Sequence, residues 1–229
     1  MKEKFNQSDI AALESVSYAK NYNTYIFNLI SSYISGNEVL DFGAGYGNYC
    51  LYLKKKGIEV VAIEINEKAT NRLNKLEIKN FNNLNKLDKK FKNIVSLNVL
   101  EHIDNDQEIL NELLEYLEPG GRIILYLPAS MIVWTKLDEL VNHKRRYSKK
   151  LIKELANSKT LNIDHIQWVD FVGWGTLLIS KILGIKLEFN KKKIIFYDTY
   201  IFKPFKYLDI LFKFIIGKNI IVVISKKII

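Results

Sequence analysis

Residues 38–64 constrain the fold of this chain more than any other stretch. Glu38-Val-Leu-Asp-Phe42 is a short strand-type run that breaks into Gly43-Ala-Gly-Tyr-Gly47. Asn48 to Lys56 resumes helical spacing, and Gly57 stops it. Glu59-Val-Val-Ala-Ile-Glu64 is then a second strand ending on an acid. Two strands joined through a helix at this spacing form a crossover, which makes them parallel. A parallel sheet buries both faces, so helices must cover each side.

The same alternation continues along the chain. Residues 8–35 read as a helix, with Ile10, Leu13, Tyr18, Tyr22, Tyr25, Ile26, Leu29 and Ile30 at helical spacing. Glu67 to Leu76 is a further helix, residues 78–81 a short edge strand, and residues 93–98 a strand. Asp104-Asn-Asp106 can cap a helix from Gln107 to Leu117, and Pro119-Gly120-Gly121 turns the chain into a strand at 122–127. Beyond it, Ser148 caps a helix at 149–157, Leu161 to Val172 is a strand, and Leu177 to Leu183 is a short helix. Lys193 to Tyr200 reads as extended, Pro204 opens a helix to Ile216, and 219–225 is a last strand. The expected fold is α/β, a seven-stranded, mostly parallel sheet with an antiparallel C-terminal strand and helices on both faces. One domain spans 1–229, with a substrate-side segment at about 129–150 and an insertion at about 173–217.

The glycine loop also carries chemistry. Glycines at alternate positions after a buried strand permit a tight turn and let a ligand lie against the backbone. The following helix offers unpaired N–H groups to an anionic part of that ligand. Glu64, at the carboxyl end of the next strand, sits where a carboxylate accepts from both hydroxyls of a ribose. A nicotinamide-binding chain would share this plan, but the spacing here is Gly-x-Gly-x-Gly, not Gly-x-Gly-x-x-Gly. Asp41, two residues before Gly43, can receive an amino group or hold the loop through its N–H groups.

With Asp41, Gly43, Gly45, Gly47 and Glu64 in this order, the chain resembles the class I S-adenosylmethionine-dependent methyltransferases. The likeness covers roughly residues 20–128 and is to the small-molecule group that includes ubiquinone and menaquinone biosynthesis enzymes. It implies a Rossmann-like fold and S-adenosylmethionine as cofactor. Asp41, Gly43 and Gly45 would hold the methionine end and Glu64 the ribose. Asn98, Val99 and Leu100 in Ser96-Leu-Asn-Val-Leu-Glu-His-Ile103 would line the methionine side and the sulfonium. Where the family carries an acid for the adenine amine this chain has Asn82 and Asn83, and Asn82 is expected there as an acceptor. Asn93 likewise stands where an acid often opens the fourth strand. Leu137-Asp-Glu-Leu-Val-Asn-His143-Lys-Arg-Arg-Tyr147-Ser is similar to a segment of a bacterial subset associated with cell-surface glycans.

A hydroxyl acceptor needs a general base, and His143, after the fifth strand, is the candidate. Arg145 and Arg146 are expected to clamp a phosphate or carboxylate, with Tyr147 as a pocket wall. Acids and histidines near 101 look like a divalent-metal site in some quinone-pathway enzymes. Glu101 and His102 alone are too few to assign one, so no metal ligand is expected.

Charge is uneven. Residues 1–140 hold 16 Lys and Arg against 19 Asp and Glu, and residues 141–229 hold 18 against 6. The basic end points to a small anionic acceptor, lipid- or phosphate-linked, or to a peripheral membrane contact through the C-terminal region. One cysteine, Cys50, supports neither a disulfide framework nor a thiolate cluster, and the polar N-terminus lacks a signal-peptide core. A cytoplasmic monomer or homodimer is expected. No added RNA-binding module or zinc-binding cysteine set is found, so neither DNA nor RNA is expected as a partner.

Overall fold

The computed structural model describes residues 14–15, 17–157 and 160–227. Ile10 and Leu13 lie outside them, and the first helix that lies wholly within them, here α1, is Lys20–Ser31. Then follow β1 Glu38–Phe42, α2 Asn48–Lys55, β2 Glu59–Ile63, α3 Glu67–Lys75, β3 Lys79–Phe81, β4 Phe91–Leu97 and α4 Asp106–Glu115. The second half holds β5 Leu117–Pro128, α5 Lys136–Leu140, α6 Lys149–Leu155, β6 Leu161–Val169, α7 Phe171–Ile182, α8 Lys191–Phe196 and β7 Asn219–Lys226.

The strands order as β3-β2-β1-β4-β5-β7-β6. β1 to β5 pair in parallel, and β7 runs antiparallel to both β5 and β6. Period-two alternation divides the core between the faces. On one, Leu40, Ile94, Ile123 and Val222 pack with Leu110 and Leu113 of α4 and Ile152 of α6. On the other, Val39, Val95, Ile124 and Ile221 meet Ile26 and Ile30 of α1 and Tyr49 and Leu53 of α2.

Three local expectations change. Pro119-Gly120-Gly121 does not precede β5 but lies within it. Gly120 has φ +70°, and the β4–β5 register shifts between Phe91 and Asn93, so the turn is absorbed as a bulge. Lys193 to Tyr200 is helical, not extended. The Asn190 side chain accepts from Lys192 N and Lys193 N, and the helix runs on through a π-helical turn, Tyr197–Phe202, and short turns to Phe212. Pro204 stands inside that run and does not open it.

Buried acids tie residues 170–218 to α1 and to one another. Asp198 accepts from Asn21 N and Tyr22 N, satisfying orphan amides at the start of α1. Asp209 accepts from Asp170 N and Phe171 N at the start of α7. Since β6 runs parallel to β5, this insertion leaves the sheet at the same edge as the carboxyl ends of β1 and β4.

Candidate active site

The strand order reverses between β1 and β4, and in an open parallel sheet a crevice opens at that point beyond the carboxyl ends. The loop after β1 and the turn after β4 form its two sides. Gly43 N and Ala44 N both donate to Ile63 O, at 2.8 and 3.2 Å, which folds the loop over the end of β2. Gly43 has φ +80°, and a Cβ on it would lie 2.3 Å from Val99 Cγ2. The sequence reading gave that space to a ligand, whereas the fold gives it to the β4 turn.

Glu64 holds the loop. Its Oε2 accepts from Gly45 N at 2.7 Å and its Oε1 from Asn66 N at 2.7 Å. Burial pushes its pKa up, and these backbone donors oppose the shift. Of the two roles open to Asp41, holding the loop through its N–H groups is not the one it plays. Its Oδ2 accepts from Cys50 Sγ at 3.1 Å, and its Oδ1 is buried without a partner.

Past β4, Asn98 is exposed with φ +52°, and its Oδ1 accepts from Asn219 Nδ2 at 3.4 Å. Val99 is half-buried against Gly43. Leu100 is fully buried in the core, so its side chain lines no crevice. Asn82 is exposed just beyond β3, and Asn83 caps the turn that follows by accepting from Asn85 N. Asn93 is buried and ties the α1–β1 connection to β4 through Ser35 and Glu38 O.

The segment after β5 gathers around one carboxylate. Asp138 accepts from Thr135 N at 2.9 Å within a capping box. It also pairs with His143 Nδ1 at 2.8 Å, and with Arg146 Nε at 2.8 Å and Nη2 at 3.1 Å. Burial would raise its pKa, but the hydrogen bonds from His143 and Arg146 outweigh burial and hold it at about 2. An ionised Asp138 has no proton to give, so His143 Nδ1 carries the hydrogen and Nε2 is left as the basic nitrogen.

That Nε2 lies 3.7 Å from Glu101 Oε1, and the His143 ring meets His102 edge-on at 4.8 Å between centroids. Burial pushes Glu101 up to about 8 and His102 down to about 4. Both Glu101 oxygens are buried without a hydrogen-bond partner. Glu101, His102 and His143 each offer a ligand atom within 4.8 Å of the others, a geometry that could hold a divalent ion although none was expected. Sequence reading missed both this grouping and the contact of Asp138 with His143, although Asp138 or Glu139 was open to it as a salt-bridge partner for the arginines. The Thr135-x-x-Asp138 spacing, a capping-box pattern, was the available signal for the latter.

The expected substrate clamp is not formed. Arg146 is buried, and besides Asp138 it donates to Ala129 O and Lys218 O, which leaves it a strut between α5, β5 and β7. Arg145 pairs with Asp106 at 2.7 Å and donates to Asp104 O. Tyr147 is fully buried and donates to Asp106 Oδ2 at 2.7 Å, so it packs rather than walls a pocket. Acids on α4 and α5 take up the charges that the sequence assigned to substrate. Lys144 N donates to Glu101 O at 2.7 Å and draws His143 against the β4 turn.

A sequence profile described as a methyltransferase domain matches residues 18–171, most of the chain and all of the crevice. The chain belongs to that family. Its fold is the class I fold of methyltransferases that use S-adenosylmethionine. Similar folds include a possible histamine N-methyltransferase from Thermotoga maritima, with a TM-score of 0.62 at 14% identity over 92% of this chain and 91% of the other. The plantazolicin methyltransferase BpumL, solved with S-adenosylhomocysteine, has a TM-score of 0.54 at 17% identity over 94% and 85%.

Among curated proteins, the 23S rRNA (uracil(747)-C(5))-methyltransferases of Pyrococcus abyssi and Pyrococcus furiosus are each 41% identical over 44 residues. That match spans 19% of this methyltransferase and 11% of each relative. It overturns the expectation that RNA is no partner, because the 44 matched residues are shared with enzymes named for an rRNA acceptor.

Asp41 gives this methyltransferase a pH-dependent stability. Burial raises its pKa to about 7, the Cys50 thiol opposes the shift, and Glu64 adds to it. Between about pH 4 and pH 7 the unfolded chain therefore releases a proton that the folded chain keeps, so stability falls as pH rises. About three pKa units correspond to ~4 kcal/mol at most. Asp41→Asn is expected to flatten this fall and to raise the melting temperature at pH 8, read by thermal denaturation across pH. Parallel curves for the two proteins would mean that Asp41 is ionised throughout.

Proposed function

We propose that this enzyme transfers a methyl group from S-adenosylmethionine to an oxygen of its acceptor, with His143 receiving the displaced proton. The pairing of Asp138 with His143 Nδ1 carries this reading, because it leaves Nε2 basic at the rim of the switch-point crevice.

The residues present suit the cofactor. Asp41 Oδ1, buried without a partner, matches an ammonium group, and Glu64 keeps lone pairs beyond its two backbone bonds for a ribose diol. Gly45 and the exposed Asn98 follow the carboxyl ends of β1 and β4, and Asn82, exposed just beyond β3, is assigned to the adenine amine. When bound, the sulfonium supplies an already activated methyl group. What remains for the chain is to align the acceptor oxygen, exclude water and take the proton. Asp138 fixes the imidazole for that step. Glu101 and His102 face its Nε2 from the β4 turn.

The acceptor expectation shifts. Arg145 and Arg146 are engaged internally and Lys218 pairs with Asp170, so an anionic acceptor now rests on the lysines of residues 181–213. RNA is the second reading, favoured by the match to rRNA methyltransferases. Cys50 is fully buried with its thiol pKa pushed up by burial, so it offers no exposed thiolate for covalent attack on a pyrimidine ring. An RNA acceptor would accordingly be methylated at oxygen or nitrogen.

Transfer of labelled methyl to total RNA and to lipid extracts distinguishes the acceptors. With the better acceptor, His143→Ala is expected to lower turnover by roughly 10²–10⁴-fold while S-adenosylhomocysteine still binds. Unchanged turnover in that variant would remove His143 as the base. A chelator is expected to have no effect if His143 works as a base, and to stop the reaction if Glu101, His102 and His143 hold a required ion.

A further inference from the structure

The exposed apolar surface is concentrated in one place. Of 17 large hydrophobic residues exposed among the described residues, 13 fall between Ile179 and Ile215. Ile182, Leu183, Leu211 and Ile215 are each about two-thirds exposed. Met131 and Ile132 extend the patch, because Lys181 Nζ donates to Ile132 O and Trp174 Nε1 to Ser130 Oγ. The stacked rings of Phe171 and Phe212, 3.7 Å apart, join α7 to the end of the long helical run. A stretch of chain rarely exposes so many large apolar residues without a partner to cover them.

Charge identifies that partner. Residues 171–217 contain eight lysines and no arginine, against Glu188, Asp198 and Asp209. Asp198 and Asp209 are buried in the caps of α1 and α7, which leaves Glu188 as the one exposed acid. Aliphatic side chains ringed by lysines suit a layer with an apolar interior and an anionic face. Long lysine stems reach from one to the other.

We infer that residues 171–217, with Met131 and Ile132, form a membrane-docking face that seats the enzyme on anionic lipid. Eight of the 13 exposed residues are Ile or Leu, which cannot stack on bases, and no arginine is present to fork onto phosphates, so RNA fits this face less well. A second copy of the chain would bring the same lysines against each other. No helix among the described residues is long and apolar enough to cross a membrane, so the contact is interfacial. The face stands on the same edge of the sheet as the crevice, since the insertion rises from the carboxyl end of β6. A lipid-borne acceptor follows from that placement together with the methyl-transfer reading, whereas docking itself does not depend on catalysis.

The test is flotation of the full chain with vesicles of phosphatidylcholine alone or mixed with phosphatidylglycerol. Strong binding to the anionic vesicles and little to the neutral ones is expected. The triple variant Ile182→Glu, Leu211→Glu, Ile215→Glu should weaken it by about a hundredfold. Lys191→Glu with Lys192→Glu should weaken it at least about tenfold. Unchanged melting temperature and S-adenosylhomocysteine binding in these variants keep folding and the methyl-transfer reading separate from docking. Absence of vesicle binding, or equal binding by the triple variant, overturns the proposal. So does retention on RNA with no vesicle binding, or a dimer in sedimentation that the triple variant dissolves without vesicle binding.

Discussion

Glu64→Ala is expected to weaken S-adenosylhomocysteine binding by roughly 100-fold or more, beyond the range of ordinary titration calorimetry. The carboxylate fixes two backbone N–H groups at 2.7 Å each, Gly45 in the glycine loop and Asn66 at the start of α3. Asn66 in turn caps α3 by accepting from Ala69 N. Removing the carboxylate strands buried donors at about 1–3 kcal/mol each, reduced where water can enter. The loop would lose its shape at the same moment that the ribose loses its acceptor. Glu64→Gln retains one acceptor oxygen but sets its amide nitrogen against a backbone N–H, so its affinity should fall between the two. The two roles separate by measurement, since loop support appears in the melting curve of the free protein and ribose recognition only in the titration. A Glu64→Ala protein that melts early yet binds S-adenosylhomocysteine like the wild type would leave Glu64 a loop-holding residue alone.

The sheet was legible because its signals are local. Short apolar runs marked β1, β2 and β4 to within about two residues, and a glycine or a cap bounded α2 and α6. Glu64 was legible too, since its place at the end of β2 follows from strand length. Its partners were not, and loop-holding, one of the two roles open to Asp41, belongs to Glu64 instead. The helical state of 193–200 was hidden because its Lys and Ile run has no clear period. There the deciding contacts are an Asn190 cap and bonds from Asp198 to Asn21 and Tyr22, 177 and 176 residues away. The same holds for Arg145 and Tyr147. From sequence they look like free groups beside a histidine, yet both end on Asp106, which α4 places beside them. A charged motif shows which groups are available, and only the packing of neighbouring helices decides whether they remain free for a ligand.

Asp138 is where packing and chemistry meet, and Asp138→Ala is expected to affect both. Arg146 is only 8% exposed, and it would keep its charge while losing the carboxylate that takes two of its bonds. An uncompensated buried charge costs about 3–5 kcal/mol. For a chain of this size that amounts to a fall in melting temperature of roughly 10 °C. Turnover would fall as well, but loss of fold could account for that. Asp138→Asn separates the causes, because the amide keeps the shape and one acceptor oxygen. If that oxygen takes the Oδ2 place, where Thr135 N and Arg146 Nη2 donate, the amide nitrogen faces His143 Nδ1 as a donor and Arg146 Nε loses its acceptor. The imidazole proton then moves to Nε2, and the nitrogen that should receive the acceptor's proton is blocked. The expected result is a milder loss of stability with turnover down by roughly 10²–10⁴-fold and S-adenosylhomocysteine binding intact. Turnover that falls only in proportion to the lost stability in both variants would mean that Asp138 braces the segment without positioning a base. Combining Asp138→Asn with His143→Ala gives the sharper reading. If Asp138 acts through the imidazole, the double variant is no slower than His143→Ala alone.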